Sequence, residues 1–168
     1  MALYQVDRGA EAYPPFPQEH HGIVWRQLGP RDLHALSALF ARMEARDNPP
    51  YRTALAEVEE MLSPASSWWG IAAFATKGIA QGRMVAFAQT RLRFSERIEC
   101  VCQGGVDPDF RRIGLGGSLL EWQIAAARSM LELNEDTGQR AIVSFVENWQ
   151  DELENALKDQ GFHWERTY

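Results

Sequence analysis

Hydrophobic residues along the chain follow two different periods, and their succession predicts a mixed α/β fold. Short runs that alternate between apolar and polar positions, or are continuously apolar, predict strands over residues 23–28, 68–75, 84–92, 97–106, 141–146 and 163–168. Apolar residues three or four positions apart predict helices, the first one capped by Asp32, over residues 33–43, 53–62, 116–133 and 149–160. The predicted order is β-α-α-β-β-β-α-β-α-β.

Residues 1–22 precede this pattern and show no sustained period. They contain prolines at positions 14, 15 and 17, which interrupt regular structure. We therefore expect an N-terminal extension that is poorly ordered or packed on the surface, followed by a single domain over residues 23–168. A chain of 168 residues with 45% hydrophobic content is long enough to bury a substantial core.

Charge and composition exclude several classes of function. The formal net charge is −6, so the chain has no basic surplus with which to bind nucleic acid over a long footprint. No apolar run approaches the roughly 20 residues that span a bilayer, and the start of the chain lacks the features of a secretory signal. We expect a cytoplasmic protein that binds neither nucleic acid nor membranes.

The two cysteines give no sign of a metal centre. Cys100 and Cys102 are two residues apart in a predicted strand, so their side chains share one face of it. Their spacing is not that of zinc ligands or of a redox pair, and we expect both to be reduced and buried. No metal site is predicted.

The segment from residue 105 to residue 120 reads as a strand end, a glycine-rich turn and a helix start. Glycines at positions 114, 116 and 117 allow a tight turn with inward-pointing N–H groups, and the helix that follows adds the positive end of its dipole. The dinucleotide fingerprint is excluded because position 119 is Leu119, and the Walker pattern lacks its Gly-Lys-Ser/Thr. The segment therefore predicts a binding site for a polyphosphate.

The pattern Arg111-x-x-Gly114-x-Gly116, preceded by Val106-x-Pro108, resembles the pyrophosphate-binding signature of the GCN5-related N-acetyltransferases (GNATs). The resemblance covers residues 23–168 and implies the fold of that family, a mixed and mostly antiparallel sheet flanked by about four helices. It also implies acetyl-CoA as co-substrate, no metal, and direct attack by a primary amine in a ternary complex. The residues that it assigns to CoA are Val106, Arg111, Arg112, Ile113, Gly114, Leu115, Gly116, Gly117, Ser118 and Asn148.

Acetyl transfer needs a base, because an amine with a pKa near 10 is protonated at pH 7. Glu99, on the strand that leads to the glycine turn, is the first candidate by position, and Glu147, at the end of the next strand, is the second. For Glu99 the alternative is a solvent-facing side chain or a pair with Arg97. For Asn148 the alternative to contact with CoA is helix capping.

The proton donor and the acceptor site stay open at this point. In the family, the proton donor to the departing thiolate is commonly a tyrosine at the position where this chain has Leu157. The donor here would then be water or a hydroxyl such as that of Ser144, or the domain would be inactive. The loop between the first two helices is expected to form the acceptor pocket, with Tyr51 and Arg52 as candidate substrate contacts for an acidic or aromatic acceptor, or as structural anchors.

Two finer features bear on partners. The sequences Asp47-x-Pro-Pro-Tyr-Arg-Thr53 and Gly104-Gly-Val106 resemble actinobacterial tandem-domain acetyltransferases of the mycothiol-synthase kind. This resemblance implies an alternative function, a non-catalytic acetyl-CoA-binding module that forms the N-terminal half of a tandem protein. The expected partners are a small-molecule or protein amine as acceptor, and a second domain of the same fold, either in a homodimer or in a tandem protein.

Overall fold

The computed structural model describes residues 13–165, so most of the predicted extension, 1–12, and the last residues of the predicted final strand, 166–168, lie outside it. Within 13–165 the strands are β1 (Ile23–Gln27), β2 (Trp68–Ala75), β3 (Met84–Phe94), β4 (Ile98–Val106) and β5 (Arg140–Ser144). The α-helices are α1 (Leu33–Asp47), α2 (Leu55–Met61), α3 (Leu115–Leu133) and α4 (Asp151–Asp159). Short 3-10 turns, Pro30–Asp32 and Pro108–Phe110, precede α1 and follow β4.

The strands lie side by side in chain order. β1 to β4 form an antiparallel meander, and β5 returns through α3 to pair parallel with β4. A parallel pair needs a crossover of this kind, whereas antiparallel neighbours can be joined by short turns. The prediction of a mixed, mostly antiparallel sheet with four flanking helices is therefore confirmed.

Helices cover both faces of the sheet, and the alternation along each strand divides the core in two. On one face α3 contributes Leu115, Leu119 and Trp122, which pack with alternate residues of β1, β2 and β3. On the other face α1 and α2 pack Leu36, Leu39 and Val58 against the intervening positions, including Ala72, Met84 and Phe87. Across residues 13–165, no helix combines the length and the apolar character that crossing a membrane requires.

Some element ends differ from the predictions. β5 stops at Ser144 rather than at residue 146. Its residues are half-buried, or exposed at Arg140, because within residues 13–165 it pairs with β4 on one side only. Residues 163–165 are not a strand. Asp32 does not cap α1, because its carboxylate accepts hydrogen bonds from Arg26, at 2.6 and 3.0 Å, and from the N–H of Gly29 at 2.9 Å.

Candidate functional site

β4 and β5 separate before β4 ends. Their parallel pairing runs from Ile98 opposite Arg140 to Cys102 opposite Ser144, and β4 then continues to Val106 with only β3 beside it. Residues 145–150, the β5–α4 connection, leave the sheet at this point. The separation leaves the β5 side of residues 103–106 without a strand partner within the described chain. Such an edge can form hydrogen bonds with an extended ligand.

The backbone after β4 turns sharply through residues 107–117, the glycine loop. Asp107 begins it, and its carboxylate accepts a hydrogen bond from Asp109 N at 3.0 Å, which closes the 3-10 turn. Arg112 (φ 65°) and Gly114 (φ 94°) both have positive φ, the region that favours glycine. α3 starts immediately afterwards at Leu115, so the loop reverses direction within a few residues.

The start of α3 has donors that no protein group caps. In an α-helix the first N–H groups have no partner within the helix. Here the first bond within the helix runs from Ser118 N to Gly114 O at 3.2 Å, and no side chain in residues 13–165 caps the N-terminus. The N–H groups of Leu115, Gly116 and Gly117 therefore precede the hydrogen-bonded part of α3, at its positive end.

No contact within residues 13–165 requires glycine at positions 116 and 117. A Cβ on either residue would meet no atom within 4 Å, and glycine inside a helix is less stable than alanine by about 0.5–1 kcal/mol. Gly104 differs, because a Cβ there would lie 2.8 Å from the Phe87 carbonyl oxygen. Packing therefore requires the glycine in β4, whereas the glycines of α3 keep open a surface where a ligand can approach the backbone.

The two arginines of the glycine loop have different surroundings. Arg111 forms a bidentate pair with Asp47 at the end of α1, both distances being 2.7 Å. This pair raises the pKa of Arg111 and lowers the pKa of Asp47. Arg112 contacts Glu152 at 3.2 Å, and both of these side chains are 83% exposed. Both arginines thus have a carboxylate partner, but the pair of Arg112 is a single, exposed contact that a ligand can displace more readily than the bidentate pair of Arg111.

A second link between α1 and the glycine loop was missed by the sequence analysis. Arg42 Nε donates to Asp107 Oδ2 at 2.6 Å and its Nη2 donates to the Met84 carbonyl at 2.7 Å. Asp107 is 1% exposed, and a buried carboxylate needs such a partner. Neither Asp107 nor Arg42 was a candidate in the sequence analysis, which used only Val106 and Pro108 on either side of Asp107 as part of the signature.

The structure brings together two predicted site residues that are far apart in sequence. Tyr51, in residues 48–54 between α1 and α2 (the proline loop), lies close enough to Glu147 in the β5–α4 connection for that carboxylate to act on its phenol. Burial and the charges of Glu147 and Glu44 raise the pKa of Tyr51, so the phenol keeps its proton. Tyr51 remains 50% exposed and accessible to a ligand.

The other residues of the proline loop hold its shape. Arg52 Nη1 donates to the carbonyls of Pro49 and Tyr51, at 2.7 Å each. Glu44, which is 7% exposed, accepts hydrogen bonds from the backbone N–H of Thr53 at 2.8 Å and from its hydroxyl at 2.6 Å. Of the two predicted substrate contacts, Tyr51 thus faces the carboxylate, whereas Arg52 is a structural anchor of its own loop.

Glu99 is engaged in ion pairs. It lies in the part of β4 that is still paired with β5, opposite Ala141, and is 6% exposed. Its carboxylate accepts hydrogen bonds from Arg93 Nε at 2.7 Å and from Arg97 Nε at 3.1 Å. Burial acts to raise the pKa of Glu99, but the two guanidinium groups outweigh it and lower that pKa. The pair with Arg97, one of the alternatives considered from the sequence, is present.

Comparison with known proteins identifies the fold. No family model and no curated protein matches the sequence. Among solved structures, a GCN5-related N-acetyltransferase from Sphaerobacter thermophilus aligns with a TM-score of 0.66 at 17% identity, over 85% of this chain and 44% of that one. This chain has the GNAT fold. It spans less than half the length of the Sphaerobacter protein, and the finer resemblance to tandem-domain members stays a prediction.

Two further solved structures with the GNAT fold have lengths closer to this chain. An acetyltransferase of the GNAT family from Streptococcus pneumoniae has a TM-score of 0.63 at 18% identity, with 85% of each chain covered. An aminoglycoside acetyltransferase from an uncultured soil metagenomic sample, in complex with sisomicin, has a TM-score of 0.57 at 13% identity, over 88% of this chain and 93% of that one. At these identities the likeness establishes the fold alone.

Two positions that the family resemblance singled out lie in or before α4 of this GNAT fold. Leu157 is 5% exposed and packs with Leu120 and Ile124 of α3, so this position serves the core. Asn148 is exposed in the turn before α4, and the capping position of that helix is Gln150. Gln150 closes the turn itself, since its N–H donates to the Glu147 carbonyl and its Oε1 accepts from Glu147 N, both at 2.9 Å.

Proposed function

We propose that this protein is an acetyl-CoA-dependent N-acetyltransferase that transfers an acetyl group to a primary amine. The observation that carries the proposal is the glycine loop together with the start of α3. Positive φ values at Arg112 and Gly114 turn the chain into a helix whose first N–H groups have no cap from residues 13–165, and Gly116 leaves their approach open. A glycine-rich turn at a helix N-terminus is suited to a diphosphate.

The residues present fit a CoA thioester. The glycine loop would hold the diphosphate through backbone N–H groups of residues 112–117, with Arg112 adding a positive charge. The edge of β4 at residues 103–106, which has no β5 partner, offers backbone groups to an extended, amide-containing arm. Arg111 Nε already donates to the Val106 carbonyl at this edge, at 3.2 Å. Acetyl-CoA, when bound, supplies a thioester carbonyl that an amine can attack. The surface for the diphosphate and the edge for the arm are continuous, because β4 leads directly into the glycine loop.

Glu147 is our candidate for the general base, ahead of Glu99. It is exposed beside the point where β4 and β5 separate, and its partner is a neutral phenol rather than a cation. The Glu147 carboxylate, with the Tyr51 phenol near it, takes a proton from the ammonium form of the acceptor. Glu99 would first have to leave Arg93 and Arg97. A protonated amine acceptor also suits the negative charges of Glu147 and Glu44 near Tyr51.

The donor half of the proposal is tested by filling the open surface at Gly116. We expect acetyl-CoA to bind the wild-type chain in a calorimetric titration and to bind Gly116→Leu at least tenfold more weakly. The same substitution should raise the free energy of unfolding by about 0.5–1 kcal/mol, because leucine is the better helix former and its Cβ meets no atom. Gly29→Leu is the matched control, since a Cβ there also meets no atom and the site is remote from the glycine loop.

The transfer half is tested by thiol release from acetyl-CoA with a panel of amines, including aminoglycosides, polyamines and lysine peptides. Release that depends on one class of amine supports the enzyme and identifies the acceptor class. Binding without release on any amine would instead support the non-catalytic module. Failure of the wild-type chain to bind acetyl-CoA at all would overturn the proposal.

A further inference from the structure

We propose that His20, which lies outside the glycine-loop signature, binds a phosphate group of the acyl donor. The inference rests on the proposed function, because it adds a residue to the same site. His20 lies beside the first turn of α3, with its Nε2 at 3.5 Å from Ser118 Oγ. Its Cε1 is 3.4 Å from the point where a Cβ on Gly114 would stand. The imidazole is therefore next to the backbone donors that the diphosphate would occupy.

The N-terminal segment, residues 13–22, holds His20 from both sides. After it, the His20 carbonyl accepts a hydrogen bond from Ile23 N at 2.9 Å, where β1 begins. Before it, the Tyr13 hydroxyl donates to the Gly70 carbonyl at 2.6 Å, and the Tyr13 ring centroid is 5.4 Å from that of Trp122 on α3. The segment thus runs along α3 between two anchors, which limits the conformational entropy lost when the imidazole binds a ligand.

The charges around the glycine loop leave a role for another donor. A diphosphate carries at least two negative charges, while Arg111 is paired with Asp47 and Arg112 faces Glu152. Beside α3, a cavity of about 470 Å³ lies under the N-terminal segment, and its charged or titratable lining consists of His20, Glu19 and Glu121. Among the residues that line this cavity, His20 is the side chain that can donate a hydrogen bond to phosphate and also carry positive charge.

The neighbouring histidine provides a matched control. His21 turns away from α3, and its ring nitrogen contacts the ammonium group of Lys77 in the β2–β3 turn. Replacing either histidine by alanine removes the same chemical group from adjacent positions of one segment. Only the His20 substitution removes it from the end of α3. A general disturbance of the segment would therefore affect both variants, whereas loss of a phosphate contact affects one.

The experiment measures binding of acetyl-CoA, and of acetyl-pantetheine, which lacks all phosphates, by calorimetry or NMR titration. We expect His20→Ala to weaken acetyl-CoA binding about five- to twentyfold, the loss of one hydrogen bond to a charged group at a partly exposed site. His21→Ala should stay within about twofold of wild type, and His20→Arg should recover most of the loss. For acetyl-pantetheine, wild type and His20→Ala should bind equally.

A second readout does not depend on affinity. The imidazole Cε1–H resonance of His20 should shift when inorganic pyrophosphate is added, and that of His21 should not. Equal acetyl-CoA affinity in wild type and His20→Ala would overturn the inference while leaving the proposed function standing. An equal loss for acetyl-pantetheine would also overturn it, because the role of His20 would then be structural. Absence of acetyl-CoA binding by the wild type would overturn the proposed function itself, and this inference with it.

Discussion

Different interactions hold the glycine loop and the proline loop. Two links tie the glycine loop to α1, the buried Asp107 bound to Arg42 and the partly exposed Arg111 bound to Asp47. The proline loop is braced mainly from within and from the adjoining end of α1, through Arg52 and its own carbonyls. Beyond its own loop, Tyr51 lies close enough to Glu147 of the β5–α4 connection for that carboxylate to raise its pKa.

This difference indicates which half of the site is preformed. A ligand that binds backbone N–H groups needs them at set positions before it arrives, and the two charge pairs, one of them with a buried carboxylate, hold the loop in place. A loop with exposed side chains and few contacts to other elements can shift when a ligand enters. The structure thus combines a preformed donor side with an adjustable acceptor side, an arrangement that suits one constant co-substrate and a separately selected acceptor.

The largest expected effect is a loss of stability when the link between α1 and the glycine loop is broken. Arg42→Ala removes the main cation from Asp107, which is 1% exposed, and leaves Arg83 at 3.9 Å as its remaining partner. We expect the free energy of unfolding to fall by about 3 kcal/mol, as for other buried pairs that lose one member. Arg52→Ala, the matched change in the proline loop, should cost about 1 kcal/mol or less. Urea denaturation of both variants measures the contrast.

The comparison would be wrong if the two arginine variants lost equal stability. A companion variant, Asp107→Asn, separates charge from shape. Its amide can still accept a hydrogen bond from Arg42, so we expect it to lose less stability than Arg42→Ala does. It should also weaken acetyl-CoA binding, because Asp107 sets the start of the glycine loop.

The next effect concerns catalysis on the adjustable side. Glu147→Gln should lower kcat about 100-fold, within the range for loss of a general base, while the affinity for acetyl-CoA stays within about twofold. Glu99→Gln is the matched control, since it makes the same change on a carboxylate that two arginines already hold. Steady-state kinetics with the best amine decide between the two. A large loss of kcat in Glu99→Gln alone would return Glu99 to the role of base.

The glycine loop could be predicted from sequence because its shape depends on neighbouring residues. Gly114 has a positive φ that glycine favours, so local chemistry was sufficient. The order of strands and helices followed from the apolar periods for the same reason, whereas the topology of the sheet was implied by the family resemblance. Leu157 was likewise found as a departure from the family pattern, and packing against Leu120 explains it.

The links between α1 and the glycine loop could not be predicted, because they join positions far apart in sequence. Arg42 and Asp107 are 65 residues apart, and Arg111 and Asp47 are 64 residues apart. No pattern of spacing indicates such a pair, and one residue of register decides which face of a strand a carboxylate occupies. For Glu99 the sequence therefore left both roles open, and only the fold placed it between its arginines.

A smaller effect tests the partly exposed pair that joins α1 to the glycine loop. Asp47→Asn should lower the free energy of unfolding by about 0.5–1 kcal/mol at pH 7, since both side chains are about one-third exposed. The Arg111 hydrogen bonds lower the pKa of Asp47, so the stabilisation is present above the unfolded-state pKa near 3.9 and is lost as the pH falls below it. Denaturation curves should therefore differ at pH 7 and converge as the pH falls through the lowered folded-state pKa of Asp47. A difference that persists in acid would mean that Asp47 acts through something other than its charge.

The smallest expected effect is a gain of binding on the preformed side. Glu152→Gln removes the ion-pair partner of Arg112 and with it a negative charge near the glycine loop. Acetyl-CoA should therefore bind about twofold more tightly at low salt. Stability should hardly change, because both side chains are 83% exposed. The gain should fade near 1 M salt, where screening acts within about 3 Å. Asp159→Asn, the same change of charge at the far end of α4, should produce no gain, and if it does, net charge rather than Arg112 governs the affinity.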